Sequence, residues 1–391
     1  MIAALFAACL LAPQSAIVEV PFRIGEDAIV VDATVNGKKV SLMFDTGFSG
    51  AVVLNNTINL GPATGKMTLR DFVGEFEAPT VKIKSLMLGA KKIDPTDMEA
   101  VMSPAQDYSQ TYNTHVDGIM GLSVIKHAIT EINFAQKKFI FYPDSLDVTK
   151  RTPNNQTTFL AKLLPSGHSS LEMEVFSPSQ KRLRLALDTG NSFYATTHKD
   201  VLERVGLWEE GRKADFIKLS GVASGTVESW DVRLPDMKVF GVPVKTSVWS
   251  IIDLPSSSSD SDGTIGYGFL KNFNILIDYD RRRVWLEKHS PTVENDAPGD
   301  VGISAAYSDR VKRVVVFRVA PSSPAEKAGL KAGDQILSLD GKELLTPTFR
   351  QMEKLLQGEK GTKVKLAVSR QGALSRYELE RTFLVNDVKT P

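Results

Sequence analysis

The sequence predicts an all-β body of two repeated lobes, followed by a small α+β domain. Three observations carry that expectation. The stretch Val40-Ser41-Leu42-Met43-Phe44-Asp45-Thr46-Gly47 is an apolar strand that breaks at Asp-Thr-Gly, and Leu183-Arg184-Leu185-Ala186-Leu187-Asp188-Thr189-Gly190 repeats it 143 residues later. A second pair of phrases, Asp117-Gly118-Ile119-Met120-Gly121 and Asp262-Gly263-Thr264-Ile265-Gly266, keeps nearly the same spacing. After residue 299 the pattern changes to strands alternating with two short helices. A unit of roughly 130 residues has been duplicated, a period too long for a solenoid and suited to paired lobes.

The elements follow in order. Residues 1–12 are apolar and small residues follow, which reads as a signal-peptide core over 1–16, too short for a membrane span. Ile29 to Val35 is a strand, Asn36-Gly37 a hairpin turn, and Lys38 to Phe44 the returning strand. Ala51 to Leu54 resumes a strand, and Met67 to Lys84 reads as a hairpin with its tip at Asp71-Phe72-Val73-Gly74. Ser103 to Asn113 is polar and aromatic and reads as a loop. Strands over 129–133 and 138–141 close the first lobe, assigned to 17–147, and a polar linker covers 148–160.

The second lobe, 161–289, repeats the plan. Strands at Leu171 to Phe176 and Leu183 to Leu187 precede a strand and short helix over Ala195 to Val205. A second hairpin has its tip near Gly221 to Gly225, Pro255 to Asp262 is a low-complexity loop, and strands at 275–279 and 283–286 end the lobe. Residues 290–298 form a second linker, and 299–387 a third domain. There Pro347 to Gln357 is a helix with Phe349, Met352, Leu355 and Leu356 on one face.

Composition narrows the function classes. A net charge of +1 over 391 residues gives no footprint for nucleic acid. The single cysteine, Cys9, falls in the presumed signal segment, so no disulfide is expected in the mature chain, as suits a periplasmic or secreted protein. No other stretch is long enough for a membrane span. The five histidines lack ligand spacing, so neither a zinc site nor another cofactor is expected.

The repeated Asp-Thr-Gly carries the chemistry. If the lobes pack about a pseudo-two-fold axis, Asp45 and Asp188 meet at their interface. Two carboxylates that close cannot both ionise cheaply, so the pair keeps a proton and titrates as a unit. The ionised member can act as general base on a water, and the protonated member can donate to a peptide carbonyl. Thr46 and Thr189 are placed to hydrogen-bond across the interface, and Gly47 and Gly190 to bring N–H groups towards the carboxylates.

With these motifs the sequence resembles the aspartic proteases of the pepsin and retropepsin superfamily, both lobes in one chain, over roughly residues 20–288. The resemblance implies the bilobal acid-protease fold and an aspartic endopeptidase. It makes Asp45 and Asp188 the catalytic aspartates, with Thr46, Gly47, Thr189 and Gly190 in support. Asp71, Phe72, Val73 and Gly74 become the substrate-covering flap. Phe48 and Asn191 stand where pepsins carry Ser or Thr, and the flap has no tyrosine. These departures imply a less acidic pair working at mildly acidic to neutral pH.

The motifs Ser323-Pro324-Ala325, Ala328-Gly329-Leu330, Gly333-Asp334 and Asp340-Gly341-Lys342 resemble a PDZ domain of the bacterial envelope-protease type. That implies capture of a peptide C-terminus by strand addition, with Gly302 and Ile303 as the carboxylate loop. The expected partner is a polypeptide substrate, with a second peptide site in the PDZ groove and a monomeric chain. The alternative is a catalytically silent protein that binds peptides through the PDZ groove.

Overall fold

The computed structural model describes residues 17–70, 75–104, 108–143, 145–165, 170–222, 225–258 and 261–388. The expected signal segment and the flap tip Asp71–Gly74 lie outside the described residues. The molecule is mostly β, with a separate PDZ domain at its C-terminal end.

The two halves before residue 289 repeat one plan. In the first, strand Lys38–Asp45 runs parallel to Gly118–Gly121, which is antiparallel to Val52–Asn55. In the second, Arg182–Leu187 runs parallel to Gly263–Ile265, which is antiparallel to Ala195–His198. The repeated Asp-Gly phrases lock these strands in the same way. The Asp117 carboxylate accepts the Ser41 N–H at 2.8 Å, and the Asp262 carboxylate accepts the Arg184 N–H at 2.8 Å.

A shared six-stranded sheet joins the halves, in the order Val18–Pro21, Lys138–Tyr142, Ile129–Asn133, Phe273–Asp278, Arg283–Lys288 and Thr158–Lys162. Its central seam pairs Ile132 with Ile275, one residue from each half. Both faces of the sheet are covered at that seam, so even the polar Thr130, Glu131 and Asn133 of the strand Ile129–Asn133 are buried. Phe139, Phe141, Phe273 and Ile275 are all essentially inaccessible, and one hydrophobic core runs through both halves.

Several local expectations change. Tyr108–Tyr112, read as loop, forms a short helix whose Tyr108 is buried. Five residues are too few for a periodic apolar stripe to reveal a helix in sequence. The segment 148–160 is not linker throughout, since Thr158 already belongs to strand Thr158–Lys162. Residues 290–298 pack on the second half, where Val293 is buried and accepts the Tyr194 hydroxyl at 2.6 Å.

The PDZ domain has its own core, centred on Val316, Met352, Leu356 and Val364. Its helix Phe349–Leu356 begins at Thr348, whose hydroxyl and the Gln351 side chain form a reciprocal capping box. Met352 and Leu356 are buried, whereas Leu355 is 44% exposed and leaves the expected apolar face. Phe349 packs at a tilt against Phe317, with ring centroids 5.2 Å apart. The chain then returns to the second half, where Asn386–Asp387 pairs in parallel with strand Gly225–Val239. The PDZ domain is therefore fastened to the second half at both ends.

Candidate functional site

Asp45 is the last residue of its strand, and Asp188 directly follows the equivalent one. The turn after each strand folds back on its own aspartate. Gly47 and Phe48 donate N–H groups to Asp45 Oδ1 at 2.8 and 3.2 Å, and Gly190 and Asn191 donate to Asp188 Oδ1 at 2.9 and 3.2 Å. Phe48 has no side-chain donor and reaches Asp45 through its main-chain N–H. Asn191 uses its side chain for the turn itself, donating to Thr264 Oγ1 at 2.7 Å and accepting from Phe193 N–H at 2.9 Å.

The two turns meet across the interface through the threonines. Thr46 Oγ1 donates to Leu187 O at 2.7 Å and accepts the Thr189 N–H at 3.0 Å. Thr189 Oγ1 donates to Phe44 O at 2.8 Å and accepts the Thr46 N–H at 3.1 Å. Both threonines are fully buried. This crossed set brings each glycine against the opposite carboxyl. A Cβ on Gly47 would stand 2.8 Å from Asp188 Oδ1, and one on Gly190 would collide with the Asp45 carboxyl. Only glycine lets the loops approach this far.

Electrostatics follow from that proximity. Burial pushes the Asp45 carboxyl up, opposed by its bond to Asp188 and the Gly47 and Phe48 amides. Burial pushes Asp188 well above the usual carboxylate range, with the Asp45 charge adding to it. Asp188 therefore keeps its proton and shares it with Asp45. Because its folded value is raised, its stabilising contribution is complete below the ordinary carboxylate range and is lost as pH rises through the raised value. Asp188→Asn still donates to Asp45 but never ionises. Its melting temperature is expected to equal the parent's near pH 4 and to exceed it by a few degrees at pH 8. Differential scanning calorimetry at the two pH values checks this.

A cavity of about 500 Å³ borders Asp45. Met43, Asp45, Tyr112, Gly190 and Phe193 line its floor. Its far side belongs to the PDZ domain, through Gly302, Ile303, Arg350 and Glu353. The sequence reading put Asp45 and Gly190 between the lobes and Gly302 and Ile303 in a separate groove; the structure brings the four to one cavity, whose lining also holds Tyr112, Phe193, Lys218, Arg350 and Glu353, which that reading missed. Tyr112 carried no signal in a segment read as loop. Burial first, and then the Asp45 charge, push its hydroxyl upward, so it stays protonated beside the pair. Arg350 and Glu353 were detectable as an i, i+3 ion pair on a helix.

The expected carboxylate loop is altered by its neighbour. Gly302 has a φ of +82°, which favours glycine, but its N–H already donates to Asp300 Oδ1 at 2.8 Å. Burial raises the Asp300 carboxyl, and the Gly302 amide opposes that rise. Among the described residues, no group of three or more His, Cys, Asp and Glu side chains is arranged to hold a metal ion. Nor is any helix among them long and apolar enough to cross a membrane.

Residues 299–380 match the family described as PDZ domain. Among curated relatives, the chain is 34% identical over 87 residues to a "Probable CtpA-like serine protease" of Staphylococcus haemolyticus, covering 22% of this chain and 18% of that protein. It is 38% identical over 71 residues to the "Carboxy-terminal processing protease CtpA" of Bacillus subtilis, covering 18% of this chain and 15% of that one. Among solved structures, it matches a photosystem II D1 C-terminal processing protease at 34% identity, with a TM-score of 0.21, over 22% of this chain and 24% of that one.

The chain thus spans less than a fifth of the length of these curated relatives. The expectation of an aspartic-type endopeptidase, and the aspartyl-protease label with it, is corrected by these comparisons. The matching relatives are described as serine and carboxy-terminal processing proteases. Their serine-type activity is stated of them, over a shared segment of 71 to 87 residues.

Proposed function

We propose that the chain binds an extended polypeptide, which enters the cleft between its two halves and is also read by the PDZ domain. One observation carries this reading: Asp45 and Gly190 share a single cavity with Gly302 and Ile303. PDZ domains bind peptides by adding a strand beside a helix, so a polypeptide in that groove stands at the wall of the cleft. The relatives described as processing proteases also take polypeptides, which supports the same ligand class.

Asp45 and Asp188 are the acid–base centre of this site. With one proton between them, one carboxyl donates and the other accepts, complementing the alternating C=O and N–H groups of an extended main chain. Thr46 and Thr189 hold the pair in place, and Gly47 and Gly190 allow its approach. We read the two halves as lobes of the acid-protease type. The matching parallel pairs at Asp45 and Asp188, and the sheet shared across the seam, support that reading of the fold. It concerns architecture and does not restore the peptidase class.

Calorimetric titration of an unstructured polypeptide in two buffers of different ionisation heat tests the site. Binding with net proton uptake or release is expected, with that proton transfer lost in Asp45→Asn and Asp188→Asn. Binding with an unchanged proton count in both variants would remove the pair from the site.

A further inference from the structure

The PDZ helix Phe349–Leu356 borders the cavity through Phe349, Arg350 and Glu353 and is tied to both halves. Towards the first half, Lys354 pairs with Asp27 at 2.6 Å and also with Glu26. Gln351 donates to Gln110 O at 2.8 Å, and Arg350 reaches Asp27 at 3.4 Å. Towards the second half, Glu353 pairs with Lys218, which also holds Asp231 at 2.9 Å. The Arg350 guanidinium lies 4.8 Å from the centre of the Phe193 ring, beside Gly190. One short helix thus bridges the two halves beside the cavity that Asp45 lines.

The peptide groove of the same domain is engaged from within. Its edge strand Ile303–Ser308 faces strand Lys218–Val222 of the second half, and Ser304 Oγ accepts the Leu219 N–H at 3.0 Å. The Gly302 amide, which would receive a peptide carboxylate, is used by Asp300. An incoming polypeptide must therefore displace groups of the chain itself to occupy the groove. Those groups belong to the contacts that keep the helix over the cleft.

We propose that the PDZ domain is a latch: its helix closes the cleft through the Lys354, Arg350 and Glu353 ion pairs, and a polypeptide entering the groove releases it. This rests on the reading that polypeptides bind in the cleft. Closure and groove occupancy exclude one another, because Lys218–Val222 and an added peptide strand both take the edge strand Ile303–Ser308. The Lys354 contacts are the ones to test, since that side chain remains 34% exposed and lies outside the floor of the site.

The experiment compares the full chain with Lys354→Glu, which sets a carboxylate beside Glu26 and Asp27, and with a charge-swapped chain that adds Glu26→Lys and Asp27→Lys. Hydrogen exchange over Phe349–Leu356, Lys218–Val222 and residues 190–193 is expected to quicken roughly tenfold in Lys354→Glu, as like charges replace a pair. It is expected to return to the parent rate in the swapped chain. Association of an unstructured polypeptide should accelerate in Lys354→Glu alone. Unchanged exchange, or faster exchange without faster association, overturns the latch. If no polypeptide associates with any of the three chains, the cleft-binding reading fails instead. Exchange at residues 190–193 then decides the latch by itself: loss of protection in Lys354→Glu, restored by the swap, sustains closure, and no change overturns it.

Discussion

Thr46→Val is expected to lower the unfolding free energy by about 2–5 kcal/mol, and Thr189→Val by a similar amount. Valine matches threonine in volume, so no cavity confuses the result. What it removes is a hydroxyl that both donates and accepts. In Thr46→Val, Leu187 O loses its donor at 2.7 Å and the Thr189 N–H loses its acceptor at 3.0 Å. Both orphans remain buried, and each unsatisfied group costs about 1–3 kcal/mol. Thr46→Ser keeps the hydroxyl and should cost well under half as much. Urea unfolding of the three variants gives the comparison. A loss below about 1 kcal/mol in both valine variants would mean that the crossed bonds do not hold the halves together.

Lys218→Met is expected to be as damaging at neutral pH, by about 3–5 kcal/mol, because it takes the paired cation from the largely buried Asp231 and leaves Glu353 with Arg350 alone. Burial opposes the charge on Lys218, but Asp231 and Glu353 more than offset it and push the ammonium up. Burial likewise opposes ionisation of Glu353, yet Lys218 and Arg350 hold it down to about 2. The sign follows from that depressed value. The Glu353 contribution is complete above the ordinary glutamate value of 4.5 and fades as pH falls towards about 2. The gap between parent and variant should therefore be widest near pH 7 and shrink across that acidic window. Thermal unfolding from pH 2 to 7 checks it, and a gap independent of pH would assign the loss to packing.

The repeat was legible because symmetry wrote each feature twice. The apolar strands ending at Asp45 and Asp188, and the glycines that let the loops close, each have a counterpart at matched spacing. The structure gives the pairs equivalent hydrogen bonds, down to Asp117 on Ser41 and Asp262 on Arg184. The PDZ motifs were legible because turn glycines and a capped helix are local signals. The docking of that domain was not. Arg350 meets Asp27 across 323 positions, and Lys354 meets Glu26 across 328, and no periodicity connects such residues. Tyr112 entered the cleft from a helix too short to show a pattern, and Asp300 filled the Gly302 amide from two residues away. The expected enzyme class failed for another reason. It rested on motifs of the two halves, while the sequence shared with the relatives spans at most 87 residues in those compared.

Photo-crosslinking tests the central claim, that the carboxyl pair and the PDZ groove form one polypeptide site. An unstructured polypeptide carrying photoreactive residues along its length would be bound, irradiated and mapped by mass spectrometry. The account predicts that single polypeptides crosslink both beside the pair, at Tyr112 or Phe193, and in the groove, at Ile303. Crosslinks confined to the PDZ domain, with none beside Asp45 and Asp188, would contradict it.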